Sequence, residues 1–187
     1  VALSIDAALV ESARVETGAL ERLIETVWPE AYRVALTILR DHGLAEDAAQ
    51  DACATIARSL NSLKNDNTFA TWTYRIAANA AITIGRHQLP VQSLDPVAAR
   101  GWSVDTAEAV DLDNALAALP IVQRAAILLH YYAGLKSREI AAATGLPSST
   151  IRFHIMLARR ALRKALAVEE AASTASTLSD EVLTNAR

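Results

Sequence analysis

The chain reads as an all-α protein: two small helical domains joined by a flexible linker, the second containing a helix-turn-helix. Three observations lead there. Of its 187 residues 52% are hydrophobic, and many of these are alanine, the strongest helix former. Glycine and proline number only 6 and 5, which favours long helices with short connections. Apolar residues recur at three- and four-residue steps, while alternating Val/Ile/Thr runs are rare.

Residues 5–16 form a short amphipathic start that Gly18 interrupts. Over 19–28, Leu20, Leu23, Ile24 and Val27 fall at helical spacing. Pro29 fits the first turn of a new helix, where its missing N–H has no partner to lose. Ala31, Val34, Ala35, Ile38 and Leu39 make that helix's apolar stripe, and Gly43 in "RDHG" suits its C-terminal cap. A helix over 45–60 turns Ala49, Ala52, Cys53, Ile56 and Leu60 inward and gathers Glu46, Asp47, Gln50 and Asp51 on another side. "NSLKNDNT" (61–68) lacks periodicity and reads as a loop, with Thr68 a candidate cap for the next helix. That helix, 69–87, places Phe69, Trp72, Ile76 and Ala80 on a core stripe. A second stripe holds Arg75, Asn79, Ile82 and Arg86, the outline of a binding face, although a solvated face has the same spacing.

From Gln88 to about Glu108 the pattern fails, and two prolines and a glycine mark a linker; Trp102 within it is a candidate for docking on a domain or a partner. The boundaries expected are 1–88, a linker over 89–109, a second domain over 110–167 and a polar tail over 168–187. In the second domain Leu112, Leu116 and Leu119 form one stripe. Pro120 starts a helix bearing Ala125, Leu128, Leu129 and Tyr132, "YAGLKS" turns, and helices follow over 137–144 and 148–166. The tail, small and slightly acidic, is expected to fray or be disordered.

Composition removes several function classes. One cysteine, Cys53, allows no internal disulfide and no thiol metal cluster, and reads as a small buried hydrophobe in a reducing cytoplasm. No apolar run has membrane-spanning length, so no direct membrane insertion is expected. His42, His87, His130 and His154 are scattered without metal spacing, and neither a phosphate-cradling glycine loop nor a nucleophile motif occurs. No catalytic residue, metal or cofactor is therefore expected.

The positive charge is localised in a chain of net charge −3. Ile140 faces a core; Ala141 is small enough for a second helix to cross closely; Gly145 supplies a sharp turn; Ile151 packs back into the same core. Ser148 or Ser149 is suited to cap the second helix. This Ala-x-x-x-Gly-x-x-x-x-x-Ile spacing is a helix-turn-helix signature, in which the second helix enters the DNA major groove. From Ser148 to Lys164 there are Arg152, Arg159, Arg160, Arg163 and Lys164 and no acidic residue. Ser149, Thr150, Arg152 and Phe153 lie where such a helix reaches base edges; Arg159 and Arg160 lie where phosphates are met. The acidic remainder weakens binding by the isolated chain, as suits a protein delivered to DNA by a larger partner.

Two blocks make the chain, over roughly residues 15–167, resemble the extracytoplasmic-function (ECF) sigma factors of bacterial RNA polymerase: "AEDAAQDACATIARSL" with "FATWTYRIAANAAITIGRH", and "ALAALPIVQRAAILLHYYAGLKSREIAAATGLPSSTIRFHIMLARRALR". The resemblance implies that Glu46, Asp47, Gln50 and Asp51 face the β′ clamp helices of core polymerase. It places Asn61, Lys64 and Asn65, with Asn79 and the basic Arg75 and Arg86, near the separated −10 strand of promoter DNA. Tyr74 is implied to support that site, and Trp72 stands there either as a base contact or as core packing. It implies that the helix from Ser148 reads the −35 duplex and that an anti-sigma factor restrains the protein. Phe153, His154 and Leu157 depart from the family's usual recognition helix, and Thr83 replaces a common aspartate. Phe153 could meet a thymine methyl or a protein. Two other readings stand beside this one: a sigma-factor mimic that sequesters an anti-sigma protein, favoured by Phe153, Leu157 and the net acidity, and a stand-alone helix-turn-helix regulator.

Overall fold

Asp6 opens the first helix by accepting the Ala8 N–H at 3.0 Å. This helix, α1 (Ala7–Ser12), precedes α2 (Thr17–Leu39), α3 (His42–Ser59), two 3-10 turns (Leu60–Ser62 and Asp66–Thr68) and α4 (Phe69–Gln88); then come α5 (Ala107–Ala117), α6 (Ile121–Tyr131), α7 (Ser137–Thr144) and α8 (Ser148–Thr184). The computed structural model describes residues 3–88 and 107–184. Trp102 and most of the expected linker lie outside the described residues, and α5 already begins at Ala107.

The first half is built on close approach. Ala45, Ala48, Ala49 and Ala52 of α3 are fully buried, and Ala77, Ala78 and Ala81 of α4 are nearly so. Small side chains let α2, α3 and α4 pack tightly around Leu23, Val27, Ile38, Ile56 and Phe69. Of the core stripe expected for α4, Phe69 alone is fully inside, and Tyr74, expected to support the −10 site, turns into the core instead. Thr73, Tyr74 and Ile82 point inward with the alanines, while Trp72, Ile76 and Ala80 are only half-buried. The alanine contact between α3 and α4 leaves the Trp72 indole at its flank, beside the buried Phe69 ring. Cys53 is buried, and burial pushes its thiol up, away from the reactive thiolate.

Other expectations also fail. Pro29 lies inside α2 and does not start a helix. Its lost hydrogen bond is outweighed because the residues on both sides of it, Leu23, Val27, Ala31 and Val34, share one buried face. Gly18 lies in the first turn of α2, and Gly43 in that of α3. The cap of α2 is Arg40, at φ 61 in the left-handed region, a conformation that costs a non-glycine residue roughly 1–2 kcal/mol. The Arg40 side chain meets Asp113 of α5, with Nη2 donating to Oδ2 at 2.6 Å. Asp41 caps α3 by accepting the Leu44 N–H at 2.8 Å. Asn65 performs that task at the second 3-10 turn, where Thr68 instead donates its hydroxyl to the Asn65 carbonyl. Leu112 is exposed, and Ala115 and Leu119 are the inward residues there. The backbone after Val168 continues α8 as far as Thr184, since "AVEEAASTASTLSDEVLT" holds no glycine or proline to stop it.

The two halves share one continuous core. Gly85 of α4 makes this possible: a Cβ there would lie 2.1 Å from Ile121 Cδ1 of α6 and 3.0 Å from Leu39 Cδ2. Polar groups line the same seam. The Tyr74 and Tyr132 hydroxyls both donate to Glu30 Oε1, at 3.0 and 2.8 Å, and their rings meet edge to face at 5.8 Å. Burial, and then the neighbouring Glu30, push the Tyr74 phenol far up. Arg124 of α6 donates to the carbonyls of Ile38 (2.6 Å), Leu116 (2.9 Å), Ala117 (2.8 Å) and Leu119 (2.8 Å). Burial lowers its guanidinium to about 10, so it remains charged at neutral pH.

Replacing Arg124 by Met leaves these buried carbonyls without a donor and is expected to lower the unfolding free energy in urea by roughly 3 kcal/mol. A change below about 1 kcal/mol would show that the carbonyls find other partners. Acid acts on the amino-terminal arm. Arg14, just past α1, is bonded to Asp66 and donates to the Leu63 carbonyl at 3.0 Å. The hydrogen bond from Arg14 holds the Asp66 carboxyl below its ordinary range. Its contribution is present above that range and vanishes as pH falls through the lowered value. Acidification should therefore release α1 before the core unfolds, read by NMR as early shift changes confined to residues 7–14 and 63–68.

Candidate nucleic-acid interfaces

Three surfaces carry the residues that the sequence singles out. The first is the helix-turn-helix. Lys136 donates its N–H to the Glu139 carboxylate at 2.7 Å, fixing the start of α7. Gly145 ends α7 at φ 70, in the left-handed region, with its N–H on the Ala141 carbonyl at 3.0 Å. The Ile151 N–H then donates to the Pro147 carbonyl at 3.0 Å, which puts Pro147 at the cap position expected for Ser148 or Ser149. Ile140 and Ile151 are fully buried and clamp the two helices.

On α8, Ile151, Ile155 and Ala158 turn inward. Ser149, Arg152, Phe153, Arg159, Arg160, Arg163 and Lys164 are exposed, while Thr150 is half-buried. The helix thus presents a cationic side with no acidic residue from Ser148 to Lys164. Met156 was not among the expected site residues, yet it is 55% exposed on the same side, beside Phe153 at 53%. Its signal was legible: 153 and 156 are three apart and offset from the inward 151/155/158 series.

The second surface is an open cleft of about 330 Å³ between α3, α4 and α7. It brings together Trp72, Arg75 and Asn79 of α4 with Asp51 of α3, closed on the far side by Ala142 and Ala143 of α7. Trp72 is both half-packed, 5.9 Å from the Phe69 ring, and cleft-lining. Arg75 Nε is buried without a hydrogen-bond partner. Asn61, Lys64, Asn65 and Arg86 do not line the cleft; all four are exposed, and the Asn65 side-chain oxygen is engaged by the Asn67 N–H at 3.0 Å.

The third surface is the outer face of α3. Glu46, Asp47, Gln50 and Asp51 are exposed and form no ion pair or side-chain hydrogen bond among the described residues. Four aligned polar groups, three of them acidic, with no internal partner add nothing to folding. Asp51 borders both this face and the cleft. Among the described residues no group of three or more His, Cys, Asp or Glu could hold a metal ion, and no helix is long and apolar enough to cross a membrane.

These surfaces fall within recognised sequence regions. Residues 23–88 match sigma-70 region 2, and residues 109–162 match sigma-70 region 4. The chain is 30% identical over 153 residues to the ECF RNA polymerase sigma factor SigM of Mycobacterium tuberculosis, covering 79% of this chain and 77% of that protein. It is 31% identical over 178 residues to the ECF RNA polymerase sigma-E factor of Escherichia coli, covering 84% of this chain and 92% of the relative. Among solved structures it is similar to the sigma factor RpoE of Bartonella quintana, crystallised with the anti-sigma factor NepR. The identity there is 25% and the TM-score 0.59, over 79% of this chain and 96% of that one. With both family regions in order and relatives matched over most of their length, the chain belongs to the sigma-70 family, as an RNA polymerase sigma factor of the ECF group.

Proposed function

We propose that this sigma factor joins core RNA polymerase through the acidic face of α3, reads the −35 duplex with α8, and holds the opened −10 strand along α4. The observation that carries the reading is the cationic outward side of α8 in a chain of net charge −3, behind a well-formed helix-turn-helix. Arg152 lies near the start of the helix, where a guanidinium pairs bidentately with guanine. Arg159 and Arg160 meet phosphates, which fix position and carry no sequence information. Asn79, Arg75 and Trp72 line a cleft with both hydrogen-bonding groups and an aromatic face, the chemistry an unpaired base needs. Asn61, Lys64, Asn65 and Arg86, outside it, follow the strand backbone. Capturing unpaired bases shifts the melting equilibrium without any catalytic step in this chain, so the polymerase supplies the chemistry.

The work divides between residues 1–88 and 107–167, with 89–106 as linker and 168–187 as a carboxy-terminal extension. An anti-sigma factor is the restraining partner, in keeping with the RpoE relative, and the site of action is the cytoplasm, with the polymerase.

Reconstituted transcription with core polymerase tests the reading: promoter-specific transcripts are expected, and their absence alongside intact anti-sigma binding would favour a mimic. Asp47→Arg should weaken association with core polymerase about tenfold or more by placing like charge against the clamp, while leaving the fold intact. Arg152→Ala should lower discrimination at one −35 base pair by roughly 1–3 kcal/mol, measured as competition between matched and mismatched promoters.

A further inference from the structure

We infer that Phe153 is a specificity-determining residue that reads the 5-methyl group of a thymine in the −35 duplex, with Met156 completing the apolar contact. The inference rests on the reading of α8 as the promoter helix and deepens it.

Phe153 and Met156 are large apolar side chains left 53% and 55% exposed. The fold does not use them, because Ile151, Ile155 and Ala158 supply the inward contacts of this helix. The ring neighbour of Phe153 is His154, 6.3 Å away and tilted, which does not shield it. Around the pair stand Arg152, Arg159 and Arg160, all exposed, in a stretch from Ser148 to Lys164 without an acidic residue. The occupant of this surface must therefore be polyanionic and must offer an apolar spot inside its charged rim. The DNA major groove has phosphates along its edges, and its apolar group is the thymine methyl. An apolar side chain facing guanine, cytosine or adenine edges would instead desolvate hydrogen-bonding groups without replacing their partners. Residues three apart on a helix are separated by roughly 4.5 Å along its axis, near the 3.4 Å rise of one base step. Phe153 and Met156 thus address the same or adjacent base pairs, next to the pair read by Arg152.

The test uses holoenzyme reconstituted from core polymerase and the full chain. A −35 sequence is first selected from a randomised promoter library, and each of its thymines is then replaced by deoxyuridine, which removes only the methyl. Wild-type holoenzyme should lose about fourfold in affinity at one such position, the size expected for one apolar carbon taken out of contact. Phe153→Ala should bind the thymine and uracil templates equally. Arg152→Ala should bind both more weakly yet keep the difference between them. A wild-type holoenzyme indifferent to uracil throughout the −35 region, or a difference that survives in the Phe153→Ala protein, would overturn the proposal. Loss of anti-sigma binding by Phe153→Ala with unaltered DNA preference would overturn it in favour of a protein occupant. Absence of −35 protection in a footprint would instead remove the underlying assignment of α8. Because Phe153 is exposed, the variant should keep the wild-type melting profile, to be checked by circular dichroism.

Discussion

One buried guanidinium sits at the joint on which the architecture depends. Arg124 donates to the last-turn carbonyls of two different helices, Ile38 of α2 and Leu116 and Ala117 of α5, and to Leu119 in the corner that follows α5. Helix carboxy-termini leave such carbonyls without partners and carry partial negative charge, so a buried cation is stabilised where two of them converge. Without it, the end of α2 and the α5–α6 corner could not be dehydrated together. Gly85 against Ile121, and Glu30 shared between Tyr74 and Tyr132, then fill the seam on either side of the cation. The placement of α7 beside the α4 cleft follows from this joint.

The electrostatic organisation is as specific as the packing. The chain is acidic overall, yet α8 presents one cationic side and α3 one acidic side. Opposite charges on separate faces give two partners of opposite sign separate places to dock. The net charge of −3 sets a field that opposes the approach of phosphates to the isolated chain.

Much of this was legible in the sequence because it is local. The α7–α8 unit follows from Ile140, Ala141, Gly145 and Ile151, whose spacing alone dictates a turn and a clamp. The cationic side of α8 follows from periodicity. What was not legible depends on the neighbour across an interface. Trp72 and Ile76 satisfy a helical stripe as well as Thr73, Ala77 and Ala81 do, and only the alanine surface of α3 decides which set turns inward. Pro29 looks like a helix start until its two flanking stripes prove to share one face. Arg124 sits in an apolar run, "IVQRAAILLHYY", and nothing local says that distant carbonyls await it. The cleft was half legible: Arg75 and Asn79 were singled out from α4, whereas Ala142 and Ala143, contributed by α7, could come only from the tertiary arrangement.

The chemistry of the seam determines how readily it parts. Of the four carbonyls held by Arg124, three belong to its own half, and only that of Ile38 lies across the joint. Glu30 likewise keeps Tyr74 if Tyr132 departs. Pulling the halves apart also breaks the Arg40–Asp113 ion pair, whose two charges then turn to water, while the Arg124 cation retains most of its shell. The polar bonds of the joint are thus ones that water can replace on both sides, and the apolar contact of Ile121 with Gly85 and Leu39 is what holds the halves in one resting shape.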